Sequence, residues 1–376
     1  MTGLVSPTSG RPLRPEGDGI LTDGTESWPV VDRIPYLRTG REELVARAVA
    51  HLRRGERDGA LRLLLADQDD WWDGPRPPAA DLHRLVSECD GLSLRDAMAL
   101  LAFGRVADYF AQRWSDPTYL AGLALLDAHW NAPASAFELA CGIGHYLRDL
   151  ARCGVGVAGG DVVFAKLWLA RHWVVPDAEL VCFDAGSPWP IEGRRFDLCL
   201  CHDAFYFLEP KAEILARLRG ATAPGGCLAV GHVHNREAEN LSAGSGVTAG
   251  QVAALFPGAV VYDDDELTRA AADGRVPVPD RPASIAGAEA FSLVEGAMGT
   301  GRAADGPLCR AGDASGLRPN PLYVPAGSDL AIAWPSDRYR AEYAPRATYR
   351  TRVAGALRRS PGAIRRREFL DLPARW

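Results

Sequence analysis

The 376-residue chain can bury a full core, and its 47% hydrophobic and 24% charged residues exclude disorder as the default state. A net charge of −6 argues against general nucleic-acid binding, and no apolar run approaches the length that spans a bilayer. Eight cysteines without a C-x-x-C pair, and a first segment without an apolar stretch of secretory type, predict reduced thiols in a cytoplasmic protein.

Residues 1–40 are rich in Gly and Pro and predict hairpins around GILTDG and SWPVVDRIPYLRTG, with Trp28, Val30 and Ile34 on a half-buried face. Residues 41–130 carry helical spacing: Leu44, Ala48, His51 and Leu52 share one face, and Leu61, Leu64 and Leu65 another. Ser93, with Asp96 three positions on, predicts the N-cap of a long helix through Trp114. Asp116-Pro117 starts a second helix ending near Trp130. Tyr109, Phe110, Arg113, Trp114 and Tyr119 gather at the joint, either as a core seam or as part of a lid.

The stretch FELACGIGHYL, Phe137 to Leu147, organises the chain. It predicts a buried strand, a tight Gly142-Ile143-Gly144 turn and an amphipathic helix, the arrangement by which α/β sheets present backbone N–H groups to a ligand. A dinucleotide fingerprint wants a small residue where Leu147 stands, which argues against that ligand. Three strand-like runs follow in alternation with helices: VGVAGGD ending at Asp161, AELVCFDAG ending at Asp184-Ala185, and FDLCLCHDAFYFL ending at Cys201-His202-Asp203. A helix from Lys211 to Arg219 and a Pro224-Gly225-Gly226 turn lead to CLAVGHVHN, which carries His232, His234 and Asn235.

Beyond it, GVTAGQVAALFPGAVVYDDDEL predicts a helix then a strand, and AEAFSLVEG an antiparallel strand. Met298–Arg318 reads as a loop, and NPLYVP and DLAIAWP as a hairpin before a basic helical tail. From Arg338 to Arg375 there are 11 arginines against Glu342, Glu368 and Asp371, about +8 (11 − 3), which is either a solvated face or a surface for an acidic partner.

An acidic Glu138 before a G-x-G turn, with strand-end signals in this order, resembles the class I S-adenosylmethionine-dependent methyltransferases over about 100 residues. The resemblance implies an α/β fold with a Rossmann-like sheet of seven mostly parallel strands, and S-adenosylmethionine as cofactor. It implies that Glu138, Cys141, Gly142, Gly144 and His145 surround the methionine end, that Asp161 holds the ribose hydroxyls, and that Asp184 and Ala185 meet the adenine. Helices before the first strand commonly serve this family as a lid, from which Arg113 would reach the methionine carboxylate. Candidate catalytic residues are His202 and His234, with Asp203 beside the first. His232 is a further candidate base and, with Tyr206 and Asn235, faces the acceptor. Many relatives carry a His-His pair where this chain has Tyr206-Phe207, which suggests an aromatic wall for a planar or sugar-like acceptor. No metal cluster is evident in the sequence.

WPVVDRIPYL also resembles the last element of the small zinc-ribbon proteins that activate certain methyltransferases, with Ser6-Pro7-Thr8-Ser9 in place of their C-P-x-C knuckle. The expected organisation is therefore a metal-free β module at 1–40, a helical lid at 41–130, the cofactor-binding core at 131–297 and a C-terminal extension at 298–376. The expected function is methylation of a small molecule, plausibly a specialised metabolite, at oxygen or nitrogen. Two alternatives stay open: a carrier-bound or macromolecular acidic substrate held by the arginine-rich tail, and a non-catalytic scaffold that binds S-adenosylmethionine.

Overall fold

The computed structural model describes every residue except 1–2, 242–243, 282–283, 297–300 and 311–315. Four short strands open it, β1 (Arg14–Gly17), β2 (Ile20–Thr22), β3 (Ser27–Val31) and β4 (Ile34–Pro35), paired in that order. The tight β3–β4 hairpin sets Asp32 and Arg33 at φ of 51° and 63°. Asp32 is held there by Trp168 Nε1 at 2.6 Å and His172 Nε2 at 2.8 Å. Where the zinc-ribbon resemblance expects ligands, small polar groups bond to one another. Ser6 Oγ lies 2.9 Å from Thr8 Oγ1, Ser9 Oγ donates to Asp23 at 2.5 Å, and Thr8 donates to Glu26.

Helices α1 (Glu42–Arg53), α2 (Arg57–Leu65), α3 (Ala79–Ser87), α4 (Leu94–Leu100), α5 (Arg105–Gln112) and α6 (Pro117–Ala128) follow. Ser93 and Asp96 form the capping box of α4. The single helix expected from there to Trp114 is instead broken. Ala102 and Gly104 take φ of 57° and 51° around Phe103, which turns into the core at 2% exposure, and α5 restarts in a new direction. Helix α6 reads PTYLAGLALLDA and is buried at every position, as an all-round apolar helix must be. It is a core helix and lies outside any lid.

The central sheet is built from β5 (Ser135–Leu139), α7 (His145–Arg152), β6 (Gly156–Asp161), α8 (Phe164–Leu169), β7 (Glu179–Cys182), β8 (Phe196–His202), α9 (Lys211–Ala221), β9 (Thr222–His234), α10 (Ala249–Leu255), β10 (Val260–Asp263), α11 (Asp264–Asp273) and β11 (Ala290–Glu295). Its order is β10-β11-β9-β8-β5-β6-β7. All neighbours are parallel except β11, which runs antiparallel to both β10 and β9, as AEAFSLVEG leads one to expect. The chain winds one way from β5 to β7 and the other way from β8 onward. Such a reversal opens a crevice beyond the carboxyl ends of β5 and β8. In β6 a Cβ on Gly159 would lie 2.6 Å from Leu147 and one on Gly160 2.3 Å from Phe183, so the two glycines let α7 and the loop after β7 close on the strand. The N-terminal module seals the β7 edge, where Tyr36 bridges Cys182 and Leu37 N–H donates to the Cys182 carbonyl at 2.7 Å.

The C-terminal part comprises β12 (Arg318–Pro319), β13 (Tyr323–Ala326), β14 (Asp329–Ile332), α12 (Asp337–Tyr343), β15 (Arg352–Ala354), α13 (Pro361–Arg365) and β16 (Phe369–Leu370). The expected hairpin gains β15 as a third strand, and β12 pairs with β16. Of the loop expected at Met298–Arg318, positions 298–300 and 311–315 lie outside the described residues. The tail is not a solvated helix. Arg350 and Arg366 both bond the fully buried Glu368, and Arg346 pairs with Glu289. Arg375 donates to the carbonyls of Cys89, Asp90, Leu92 and His172. Arg346 and Arg375 tie the tail to the body, whereas Arg350 and Arg366 pair within the tail and stay 48% and 37% exposed.

Candidate active site

A cavity of about 460 Å³ opens beyond the carboxyl ends of β5, β6 and β8, with walls from α5 and α12. Its floor is the glycine turn. Gly142 and Gly144 have φ of 54° and 82°, and a Cβ on Gly144 would lie 2.8 Å from Val175. Glu138 ends β5 beneath the turn. It is 2% exposed, its Oε2 has no partner among the described residues, and burial pushes its carboxyl well above the usual range. A buried acceptor left open at a cavity floor is suited to a donor from a ligand.

The residues expected around the cofactor nearly all meet here. Cys141, Gly142, His145, Asp161, Asp184 and Ala185 line the cavity together with Glu138. Asp161 Oδ2 accepts the Gly142 N–H at 2.9 Å and Oδ1 the Val163 N–H at 2.9 Å, so the carboxylate fixes the turn while facing the cavity. His145 Nε2 lies 3.0 Å from the Phe110 carbonyl, and burial followed by the nearby Arg113 lowers its pKa to about 3, keeping the ring neutral. The unpartnered Glu138 oxygen, the glycine turn and the Asp161 carboxylate fit an adenosyl amino acid.

Arg113 is placed differently from the expectation. It lines the cavity, but its Nη1 bonds Asp203 Oδ2 and Thr118 Oγ1, each at 2.7 Å, instead of standing free for the methionine carboxylate. Asp203 takes two further donors, Tyr109 OH on Oδ2 and Tyr206 OH on Oδ1, both at 2.8 Å. Burial works to raise the Asp203 pKa, but Arg113, His232, His234 and the Tyr109 hydrogen bond together outweigh it and hold the group at about 2. Asp203 adopts φ 53° and His232, at the end of the neighbouring strand, φ 52°. Non-glycine residues in that region concentrate at functional sites.

The histidines separate into two kinds. His202 lines the cavity at 5% exposure, and neither ring nitrogen has a partner among the described residues. A Cβ on Gly122 or Gly231 would lie 2.8 Å or 2.2 Å from its ring, so both glycines make room for it. Burial, then Arg113, lowers its pKa to about 3. His234, His232 and Asn235, expected at the acceptor, are not among the cavity-lining residues. The His234 ring stacks on Tyr206 at 3.7 Å, so its contact with the site is through that tyrosine. His232 Nδ1 pairs with Asp264 at 2.7 Å. Asn235 ties down a loop, donating to the carbonyls of Ala286 and Ala288 at 2.8 Å. Asp203, His232 and His234 do stand close enough to share a cation, a cluster the sequence spacing did not reveal. Both Asp203 oxygens already take donors from Arg113 and the two tyrosines.

Sequence reasoning missed two contributors. Lys166, one of only two lysines in an arginine-rich chain, lies 3.8 Å from Asp161 and 3.6 Å from Asp69. Its rarity was the available signal. Helix α12 supplies Arg338, Tyr339, Glu342 and Tyr343, and the Tyr-x3-Tyr spacing, one helical turn, was the corresponding sign.

Residues 137–230 match the family described as "Methyltransferase domain". Among curated proteins there is no match. Among solved structures the chain is similar to DesVI of Streptomyces venezuelae, 22% identical over 35% of this chain and 57% of that one, with a TM-score of 0.30. It is similar to CalS10, an amino pentose methyltransferase of Micromonospora echinaspora, at 24% over 32% and 52%, TM-score 0.28. A third is phosphoethanolamine N-methyltransferase 2 of Haemonchus contortus, at 18% over 46% and 46%, TM-score 0.36. The chain thus spans about half the length of these proteins. Seven strands in this order and a glycine turn after an acidic β5 accord with the match of residues 137–230 to a methyltransferase domain.

Proposed function

We propose that the chain transfers a methyl group from S-adenosylmethionine to oxygen or nitrogen of a small molecule, a specialised metabolite. The observation that carries this reading is the make-up of the cavity: a glycine turn over an unpartnered buried carboxylate oxygen at the floor, and aromatic side chains around the remainder. A volume of about 460 Å³ belongs with small-ligand sites.

When bound, S-adenosylmethionine supplies a methyl group already activated by the adjacent positive sulfur. The chain's own task is to bind, align and exclude water. Glu138 accepts from the amino group, Asp161 from the ribose hydroxyls and Asp184 from the adenine, with Gly142 and Gly144 admitting close main-chain approach. Asp203, held negative by Arg113, fixes the hydroxyls of Tyr109 and Tyr206 and so orients both rings. His202 is neutral at physiological pH, and its open ring nitrogens can take a proton from an acceptor hydroxyl.

Calorimetric titration of the full chain with S-adenosylmethionine tests the reading. A dissociation constant in the micromolar range, roughly −8 kcal/mol, is expected. No binding to a folded sample, with binding of a nicotinamide dinucleotide instead, would refute it.

A further inference from the structure

We propose that the acceptor half of this cavity binds an amine in its cationic form, which gives up an N–H proton to water before its nitrogen lone pair takes the methyl group, so that the substrate is an amine; the inference rests on the methyltransferase reading above. Two features point to it, the arrangement of the rings and the balance of charge. Tyr109, Tyr206, Phe207, Tyr339, Tyr343 and Trp71 all line the cavity. The hydroxyls of Tyr109 and Tyr206 are bound by Asp203 and that of Tyr339 by Asp116, which leaves these rings to act on a ligand through their π-faces and edges. Tyr339 and Tyr343 pack at 4.5 Å, and Trp71 and Phe207 at 5.5 Å. Trp71 is 56% exposed, a large aromatic ring standing in water at the cavity's edge. Such an assembly of faces attracts positive charge. The chain already uses one of them so: the Arg113 guanidinium lies 4.9 Å over the Tyr109 ring.

The charges agree. Four cationic side chains lining the cavity each have a carboxylate within 4.0 Å: Arg38 with Asp67, Arg105 with Asp73, Arg113 with Asp203 and Lys166 with Asp69. The fifth, Arg338, donates to the Leu241 carbonyl instead of to Glu342, one turn on along α12. Glu342 and Asp108 line the same cavity, and no hydrogen bond or ion pair is made by either carboxylate among the described residues. A carbonyl does not neutralise Arg338, so against Glu342 and Asp108 the three leave a residual charge of −1 (1 − 2) on a wall that also carries the aromatic rings. His202, nine-tenths buried with both nitrogens open, marks the inner end of the same space. A neutral planar acceptor would use the rings and leave that residual charge uncompensated. An ammonium group uses both features.

The test employs choline as the cationic probe and 3,3-dimethylbutan-1-ol as its uncharged counterpart of the same shape. Each is titrated into the full chain saturated with S-adenosylhomocysteine, followed by calorimetry and by tryptophan fluorescence. Choline should bind at least about tenfold more tightly than the alcohol. Glu342→Gln and Asp108→Asn, both at half-buried side chains, should each weaken choline about 3- to 30-fold and leave S-adenosylhomocysteine affinity within about twofold. Equal affinity for the two probes, or no choline binding to protein that binds S-adenosylhomocysteine, would overturn the inference and leave the methyltransferase reading standing. A folded wild-type chain that fails to bind S-adenosylhomocysteine would overturn both.

Discussion

Replacing Asp203 by asparagine keeps the shape of the side chain and removes the charge that Arg113 faces. The two groups are 2.7 Å apart, with side-chain exposures of 3% and 7%, so neither has bulk water to turn to. In the folded protein the Asp203 pKa falls from 3.8 to about 2, which corresponds to about 2–2.5 kcal/mol of stabilisation from the charged form. Leaving a buried guanidinium uncompensated costs about 3–5 kcal/mol, so Asp203→Asn is expected to lower unfolding free energy at pH 7 by about 3 kcal/mol. The sign with pH follows from the depressed pKa. The contribution is complete above pH 3.8 and disappears as pH falls towards about 2. Urea denaturation at a series of pH values, with wild type and variant side by side, isolates this group from the other carboxylates. The gap between the two curves should be widest near neutrality and narrow through that window. A gap under about 1 kcal/mol at pH 7, or one that does not change between pH 5 and pH 2, would refute the reasoning.

Asp161→Ala should weaken S-adenosylmethionine binding by about 1.5–3 kcal/mol, the scale of hydrogen bonds to a charged group, as read by calorimetry. His202→Ala should reduce turnover about 10²–10⁴-fold with S-adenosylmethionine affinity within about twofold, if the acceptor proton passes to that ring; wild-type turnover in the variant would make its role structural. His234→Ala and Tyr206→Ala should both act on KM more than on kcat, because the first withdraws the stacking that supports the second; a selective loss of kcat in His234→Ala would contradict this. Elemental analysis should find well under one zinc per chain, and Asp23→Asn should lower stability by about 1 kcal/mol through the Ser9 and backbone donors it now accepts; stoichiometric zinc that persists in His232→Ala would mean the knuckle was misread.

That the residues expected at the cofactor line one cavity was legible because their placement is local. Glu138, the glycine turn, Asp161 and Asp184 each sit at or just beyond the end of a strand, and strand ends follow from hydrophobic runs punctuated by glycine and aspartate. The acceptor half was not, because its parts meet only through packing. Nothing in the spacing of Arg113 and Asp203, ninety positions apart, announces a buried ion pair. The histidines of CLAVGHVHN were expected on the rim, but pairing with Asp264 and stacking on Tyr206 turn them into the layer behind it. Charge patterning alone left the partners of the tail arginines open. A run of arginines looks alike whether its partners are solvent or, as for Arg350 and Arg366, a glutamate buried within the same segment. The break at Ala102–Gly104 escaped for a related reason: the pull of the core on Phe103 overrides helical periodicity there.

Two of the stretches that line the cavity lie far apart in the sequence. Residues 138–184 write the floor, whereas helix α12, more than 150 positions later, writes part of the wall with Tyr339, Glu342 and Tyr343. Among the described residues no hydrogen bond or ion pair joins those three side chains to the glycine turn, to Asp161 or to Asp184. Substitutions on α12 are therefore expected to leave the turn and both carboxylates in place. A lineage could drift from one acceptor to another by rewriting a seven-residue helix, the donor chemistry being inherited intact, and a library confined to α12 is where an engineer would begin.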